Sequence, residues 1–190
     1  MIAGDRLPTL TGARVTLRWL GASDLGDLFA VFSNPEVTRY WSHLPFTHEQ
    51  QAKELLAAIE RAFADQSLFQ WGISLRSDDR IIGTCTLSQV DERNLRAELG
   101  YALGRAQWGL GLMHEALCVL LDFAFRDLGL RRLEADVDPR NAASIRSLER
   151  LAFRREGYLR ERWCVGGEVQ DAIFYGLLRR EWEARRHWNG

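Results

Sequence analysis

The sequence has little cysteine. Cys85, Cys118 and Cys164 lie far apart and never form Cys-x-x-Cys. A set so sparse and odd excludes a disulfide framework and a thiolate zinc site. No histidine pair has metal-ligand spacing, so no metal is expected. Long apolar runs are absent too, and no membrane-spanning helix is expected. The start, MIAGDRLPTL, lacks the charged-then-apolar order of a signal peptide, and the expected location is the reducing cytoplasm. Charge of one sign is also missing. The formal net charge is −1, which gives no basic excess for nucleic acid and no polybasic face for a membrane. What remains is 190 residues, 46% apolar and 27% charged, enough for one ordinary domain over 1–190 with a sizeable core. Seven tryptophans supply the material for an aromatic-lined pocket.

Periodicity orders the chain. ARVTLRWL (13–20) alternates as a strand. SDLGDLFAVFSN follows as a short helix that Ser23 or Asp24 is placed to cap. NPEVTRYWSHLPFTHEQ (34–50) reads as an aromatic-rich loop. Thr47 opens the next helix, with Gln50 as its capping-box partner and Leu55, Leu56, Ile59 and Phe63 on one face. SLFQWGISLR, RIIGTCTLSQV and RAELGYAL then alternate as three strands joined by short polar turns, which implies antiparallel neighbours. A helix from about Leu110 to Leu128 ends at Gly129. RRLEADVD is a strand and NAASIRSLERLAF a helix. FRREGYLRERW and EVQDAIFYGLLRR form a hairpin around Gly166-Gly167. REWEARRHWNG reads as a surface helix or tail. The result is one α/β domain with a mixed sheet.

The stretch ELGYALGRAQWGLGLMHE (98–115) poses the functional question. Met113, Leu117, Leu120, Leu121, Ala124 and Leu128 give the helix a continuous apolar stripe, so it is central. Yet Trp108, Gly109 and Leu110 offer no capping oxygen for its first N–H groups. A bound anion fills that role, with the glycines letting it approach the backbone. Alternatively, Gly109 only permits a turn and Gly111 only permits close packing. A Rossmann fingerprint needs glycine where His114 stands, and a P-loop needs Gly-Lys-Ser/Thr; both fail.

ELGYALGRAQWGLGLMHEAL resembles the acetyl-CoA motif of the Gcn5-related N-acetyltransferases. That family's loop reads Arg/Gln-x-x-Gly-x-Gly/Ala, often Trp-Gly-x-Gly-x-Ala in the ribosomal-protein-alanine acetyltransferase (RimJ/RimL-like) branch. NPEVTRYW (34–41), DPRNAASIRSLERLAFRREG (138–157) and GEVQDAIFYGLL (167–178) are similar to three further segments of that branch, in the same order. The resemblance implies a mixed, largely antiparallel sheet, flanked by helices and splayed into a V between two central parallel strands, here RAELGYAL and RRLEADVD. It implies acetyl-CoA as co-substrate. Its pantetheine would meet the backbone of Ala102 and Leu103. Its pyrophosphate would meet the amides of Trp108, Gly109, Leu110, Gly111, Leu112, Met113 and His114. Two positions depart from the pattern. Leu110 stands where relatives carry a cation, which Arg105, Arg140 or Arg146 would have to replace. Met113 stands where they carry Ala or Gly, so its side chain must turn into the core.

Acetyl transfer needs a free amine, a polarised carbonyl and a protonated leaving thiolate. Freeing a lysine-like amine at pH 7 costs roughly 4–5 kcal/mol, and an α-amine only about 1, so a general base helps. Glu98, at the start of the cofactor strand, and Asp136, on its neighbour, are the base candidates. Each could equally be a solvated or ion-paired strand carboxylate. Ser144 is the general-acid candidate, since the family's alternative tyrosine position is Leu148. Asn141 caps its helix and can meet pantetheine; Arg146 can reach a phosphate. Tyr40, Trp41, His43 and Phe46 would cover the acceptor, where an ammonium group can rest on their rings. They would otherwise close the core. The expected partner is a protein N-terminus or a small-molecule amine, with a homodimer conceivable through the C-terminal strands. A different reading, a non-catalytic acyl-CoA-binding or regulatory module, follows from Leu110 and Met113.

Overall fold

The computed structural model describes the backbone of residues 2–187 and the side chains of residues 2–185. The last three residues of the expected tail lie outside the described residues. Eight strands form one sheet: β1 (Leu10–Thr11), β2 (Val15–Arg18), β3 (Leu68–Leu75), β4 (Asp78–Asp91), β5 (Arg96–Leu103), β6 (Arg132–Val137), β7 (Arg154–Val165) and β8 (Glu168–Leu178), in the order β1-β2-β3-β4-β5-β6-β8-β7. Helices α1 (Leu25–Phe32), α2 (Pro35–Thr38), α3 (Gln50–Ala64), α4 (Leu112–Arg126), α5 (Ala142–Arg150) and α6 (Arg179–His187) flank it. Every neighbouring pair is antiparallel except β5 and β6. This is the expected mixed sheet with two central parallel strands.

The parallel pair is short. It joins Arg96 to Arg132, Ala97 to Leu133 and Glu98 to Glu134, and then stops, although both strands run on. Beyond Glu98 the two strands diverge into a V. Ion pairs pin the closed end. Arg96 Nη1 donates to Glu134 Oε2 at 2.7 Å, Arg132 Nε donates to Glu134 Oε1 at 2.7 Å, and Arg132 also binds Glu156 on β7.

Strand alternation sorts the core into two clusters. Ala97, Leu99 and Leu103 of β5 and Leu133, Ala135 and Val137 of β6 pack with Leu117, Leu120, Leu121 and Ala124 of α4. Ala102 faces the other way and packs with Leu28, Val31, Phe32, Ala52, Leu56 and Ile59 of α1 and α3. The α4 stripe is as expected at its centre, where Leu117, Leu120, Leu121 and Ala124 are fully buried. Met113 and Leu128 sit half-buried at its margins and pack against that cluster.

Local details correct the sequence reading. NPEV is a short helix rather than loop, because Asn34 accepts from the Glu36 N–H and proline occupies the first turn. No side chain caps α3. Gln51, not Gln50, reaches back to accept from the Thr47 N–H at 2.7 Å. Asp24 does not cap α1 either, because the Arg18 guanidinium and the Gly21 N–H take its carboxylate. The C-terminal segment is no mere surface helix. Trp182 is buried, and its Nε1 donates to Asp122 on α4 at 2.9 Å.

Candidate active site

The glycine loop answers the question of the missing cap. Gly111 is the N-cap of α4 with φ +74°, and no side chain caps the helix. Gly109 has φ +76°. A Cβ on Gly109 would meet nothing within 4 Å, and one on Gly111 only Arg14 Nη2 at 3.5 Å. Conformation, not close packing, therefore calls for glycine at both. Among the described residues, the backbone N–H groups of residues 109–114 have no protein acceptor; only the Glu115 N–H finds one, the Gly111 carbonyl. Six free amides at the mouth of a long helix suit an anion. Leu110 is exposed and Leu112 buried, so both could offer only backbone. Met113 is half-buried and packs against the core cluster. The Trp108 ring does not face an anion: its Nε1 donates to the Leu103 carbonyl at 2.7 Å, and Arg105 stacks over it. That bond leaves Leu103 a preoccupied carbonyl within the V.

Of the three arginines considered as replacement cations, two are engaged. Arg105 pairs with Glu36, and Arg140 with Asp138 and Glu168. Arg146, exposed on α5, makes no ion pair among the described residues. The sequence reading missed Arg14, which reaches the loop from the start of β2. Its Nη1 donates to the Leu110 carbonyl at 3.0 Å, and its Nε pairs with Glu115 at 2.8 Å. Those bonds clasp the loop to α4.

Inside the V, Asn141 caps α5 through its Oδ1, which accepts from the Ser144 N–H. The Ser144 hydroxyl lies 2.8 Å from the Tyr101 hydroxyl. Burial pushes the Tyr101 hydroxyl above its ordinary pKa, against the pull of Ser144 and Ser147, so it keeps its proton. The only local signal for Tyr101 was its place on the odd-numbered face of β5.

A cavity of about 460 Å³ opens beside the V. Tyr40, Trp41 and His43 line it, together with Glu98, Asp136, Asn141 and Ser144. Phe46 does not; it stacks on His43 with ring centroids 5.1 Å apart and packs on Phe32, closing the α1–α3 core. Ala102, Leu103, Arg146 and the glycine loop also lie outside its walls.

The cavity is acidic. Glu98, Asp136, Asp138 and Asp171 line it, and no lysine or arginine does. Three of these carboxylates are engaged. Asp136 accepts from Trp163 Nε1 at 3.0 Å and from Arg162 Nε at 3.5 Å. Asp138 accepts from the Arg140 guanidinium, and Asp171 from the Tyr158 hydroxyl and the Glu161 N–H. The Glu98 carboxylate has no hydrogen bond or ion pair among the described residues. Burial, then the nearby charge of Asp136, raises its pKa above the ordinary glutamate value. Glu134 adds to the rise, and Arg162 and Arg96 oppose it. Arg162 and Trp163 reach Asp136 through a bulge in β7, where Glu161 has φ +52° and the β7–β8 register shifts, and Trp163 lines the cavity. Nothing in the sequence announced that bulge. Among the described residues, no group of three or more His, Cys, Asp or Glu could hold a metal, and no helix is long and apolar enough to cross a membrane.

Residues 14–154 match the family model of the acetyltransferase (GNAT) domain. The chain is 38% identical to the uncharacterized N-acetyltransferase p20 of Bacillus licheniformis, over 93% of this chain and 99% of that one. It is 30% identical to the [ribosomal protein uS5]-alanine N-acetyltransferase of Escherichia coli K12, over 69% of this chain and 68% of that one. The crystal structure of Mycobacterium smegmatis RimJ in complex with CoA-disulfide superposes with a TM-score of 0.84 at 21% identity, over 92% of this chain and 88% of that one.

Proposed function

The chain belongs to the GNAT family and is an N-acetyltransferase, and from that premise we propose that it acetylates the α-amine of an aminoacyl or peptidyl acceptor, with Glu98 as general base. One observation carries this reading. Of the four carboxylates in the cavity, Glu98 alone is free to take a proton, and its pKa, raised by burial and by Asp136, makes it a stronger base than an ordinary glutamate. The acetyl thioester comes from acetyl-CoA. The residues present fit that co-substrate: six unpartnered amides on a glycine loop suit a pyrophosphate, and strand edges bared by the V suit an amide-bearing arm.

The chain's own groups then divide the work. The backbone N–H groups of residues 109–114 hold the pyrophosphate, and Arg146 is the cation free to approach a phosphate. Asn141 fixes the first turn of α5 and with it Ser144. Ser144 Oγ, with Tyr101 behind it, holds a proton for the departing sulfur. Asp136, occupied by Trp163 and Arg162, does not compete for the acceptor's proton but keeps Glu98 basic. Tyr40, Trp41 and His43 cover the amine with ring faces. The named activity of the E. coli relative, on a ribosomal-protein alanine, supports an α-amine, which also costs far less to deprotonate than a lysine.

Purified protein should bind acetyl-CoA by calorimetry and release thiol in the presence of short peptides with free N-termini. Nα-blocked lysine peptides should be poor acceptors. Absence of binding at millimolar acetyl-CoA sinks the reading. Binding without turnover on any amine would favour a non-catalytic acyl-CoA module.

A further inference from the structure

The face of the sheet beneath Trp41 holds two buried polar side chains that neither the fold nor the proposed chemistry uses. Register aligns Gln70 of β3 with Thr86 of β4, and Thr86 with Gly100 of β5. This row lies one step along β5 from Glu98 and on the same face. Gln70 is 6% exposed and Thr86 8% exposed, and both line the cavity. Among the described residues neither side chain makes a hydrogen bond. Gly100 leaves the row open at its β5 end, since a Cβ there would meet only Thr86 Cβ at 3.9 Å.

Their polar atoms open onto the cavity with no protein partner, so a ligand that enters can pair with them directly. We infer that Gln70 and Thr86 form a substrate-reading pair that hydrogen-bonds the first amide of the acceptor, beside the amine held at Glu98. This rests on the reading of the cavity as the acceptor site. The chemistry selects the group. Gln70 and Thr86 each present a donor and an acceptor, so they suit a neutral group that presents both, as an amide does. A polyamine brings only donors, and leaves the Gln70 N–H groups unsatisfied. A free amino acid brings a carboxylate into a cavity lined by four others. The geometry agrees as well. From β5 to β3 is two strand spacings, about 10 Å, the reach of roughly three extended residues. An acceptor whose amine lies at Glu98 and whose chain crosses Gly100 brings its first amides over Thr86 and Gln70.

The test compares two acceptors in steady-state kinetics with acetyl-CoA: an alanyl dipeptide amide, and an alkylamine of equal length without amides. The variants are Gln70→Leu and Thr86→Val, both close to isosteric. Each should raise KM for the dipeptide amide by about 5- to 100-fold. Values of kcat should stay within a few-fold, and kcat/KM for the alkylamine should not change. Each variant should also leave the melting temperature close to the parent's, because neither side chain hydrogen-bonds another part of the fold. Loss of a structural hydrogen bond would lower it. Equal losses on both acceptors, no change on either, or a clear fall in melting temperature overturn the inference while acetyl transfer stands. No turnover by the parent on any acceptor overturns both readings.

Discussion

The two faces of β5 differ in what they meet. On one face Ala97, Leu99 and Leu103 join the α4 stripe in a continuous apolar cluster. On the other, Ala102 joins the α1–α3 core, while Glu98 and Gly100 open onto an acidic cavity. Eight consecutive residues thus serve a core that must exclude water and a site that must keep a carboxylate available. Strand alternation makes this possible without any change of backbone. Parity divides most of the strand between the two tasks, with Tyr101 the exception that packs on the core side and still meets Ser144, so substitutions on the two faces should fail in different ways.

The largest expected effect comes from the cavity face. Glu98→Gln should lower kcat by about 10²- to 10⁴-fold, the usual worth of a general base, with acetyl-CoA affinity unchanged by calorimetry. Stability should move the other way. Because the folded protein raises this pKa, it binds the proton more tightly than the unfolded chain does. Stability therefore falls as pH rises from the unfolded to the folded value, and stays lower above both. Glu98→Gln removes that loss and should raise the melting temperature at pH 7, with little difference at pH 4. A drop at pH 7 would show that Glu98 holds the fold together, and would erase the contrast between the faces.

The apolar face should answer with stability alone. Leu121 is fully buried against the sheet, and Leu121→Ala should cost roughly 2–5 kcal/mol in urea unfolding. The folded fraction should keep its kcat/KM within a few-fold at a temperature well below the transition. Between these two extremes lies the glycine loop, where both properties meet. Gly111→Ala forces a Cβ into the left-handed region, at about 1–2 kcal/mol. It should lower stability by about that much and weaken acetyl-CoA binding in calorimetry. Stability loss without weaker binding would make the loop a turn and nothing more.

What could be read in the sequence follows the same division. The α4 stripe, the β5 alternation and the family motifs are local patterns, and the structure keeps them. The parallel pairing of β5 with β6 was implied by the family resemblance, and the structure shows it. The partners of the site residues were not legible, because they come from far along the chain. Tyr101 meets Ser144 forty-three residues later. Trp163 and Arg162 reach Asp136 only because β7 bulges at Glu161, a residue with no glycine-like signal for its positive φ. Gln70 and Thr86 align only through register. Phe46 shared its aromatic loop with the residues that line the cavity, and sequence alone offers no means of telling a ring that covers a site from one that closes a core.

The smallest predicted effect probes how the two strands of the V act on each other. If Glu98 must be ionised for catalysis, kcat/KM rises with pH through its raised value, so the acid limb lies above the ordinary glutamate range. The charges that set this limb come from three strands: Asp136 and Glu134 on β6, Arg96 on Glu98's own strand, and Arg162 from the β7 bulge. Asp136→Asn removes a negative neighbour and should move the limb to lower pH, with kcat on the plateau largely kept. Arg162→Ala removes an opposing cation and should move it to higher pH. The opposite signs matter. Damage to packing in the V would lower the plateau for both variants and move neither limb in a set direction. If Asp136→Asn abolishes the plateau instead, Asp136 is the base, and the bonds from Trp163 and Arg162 must open before each turnover.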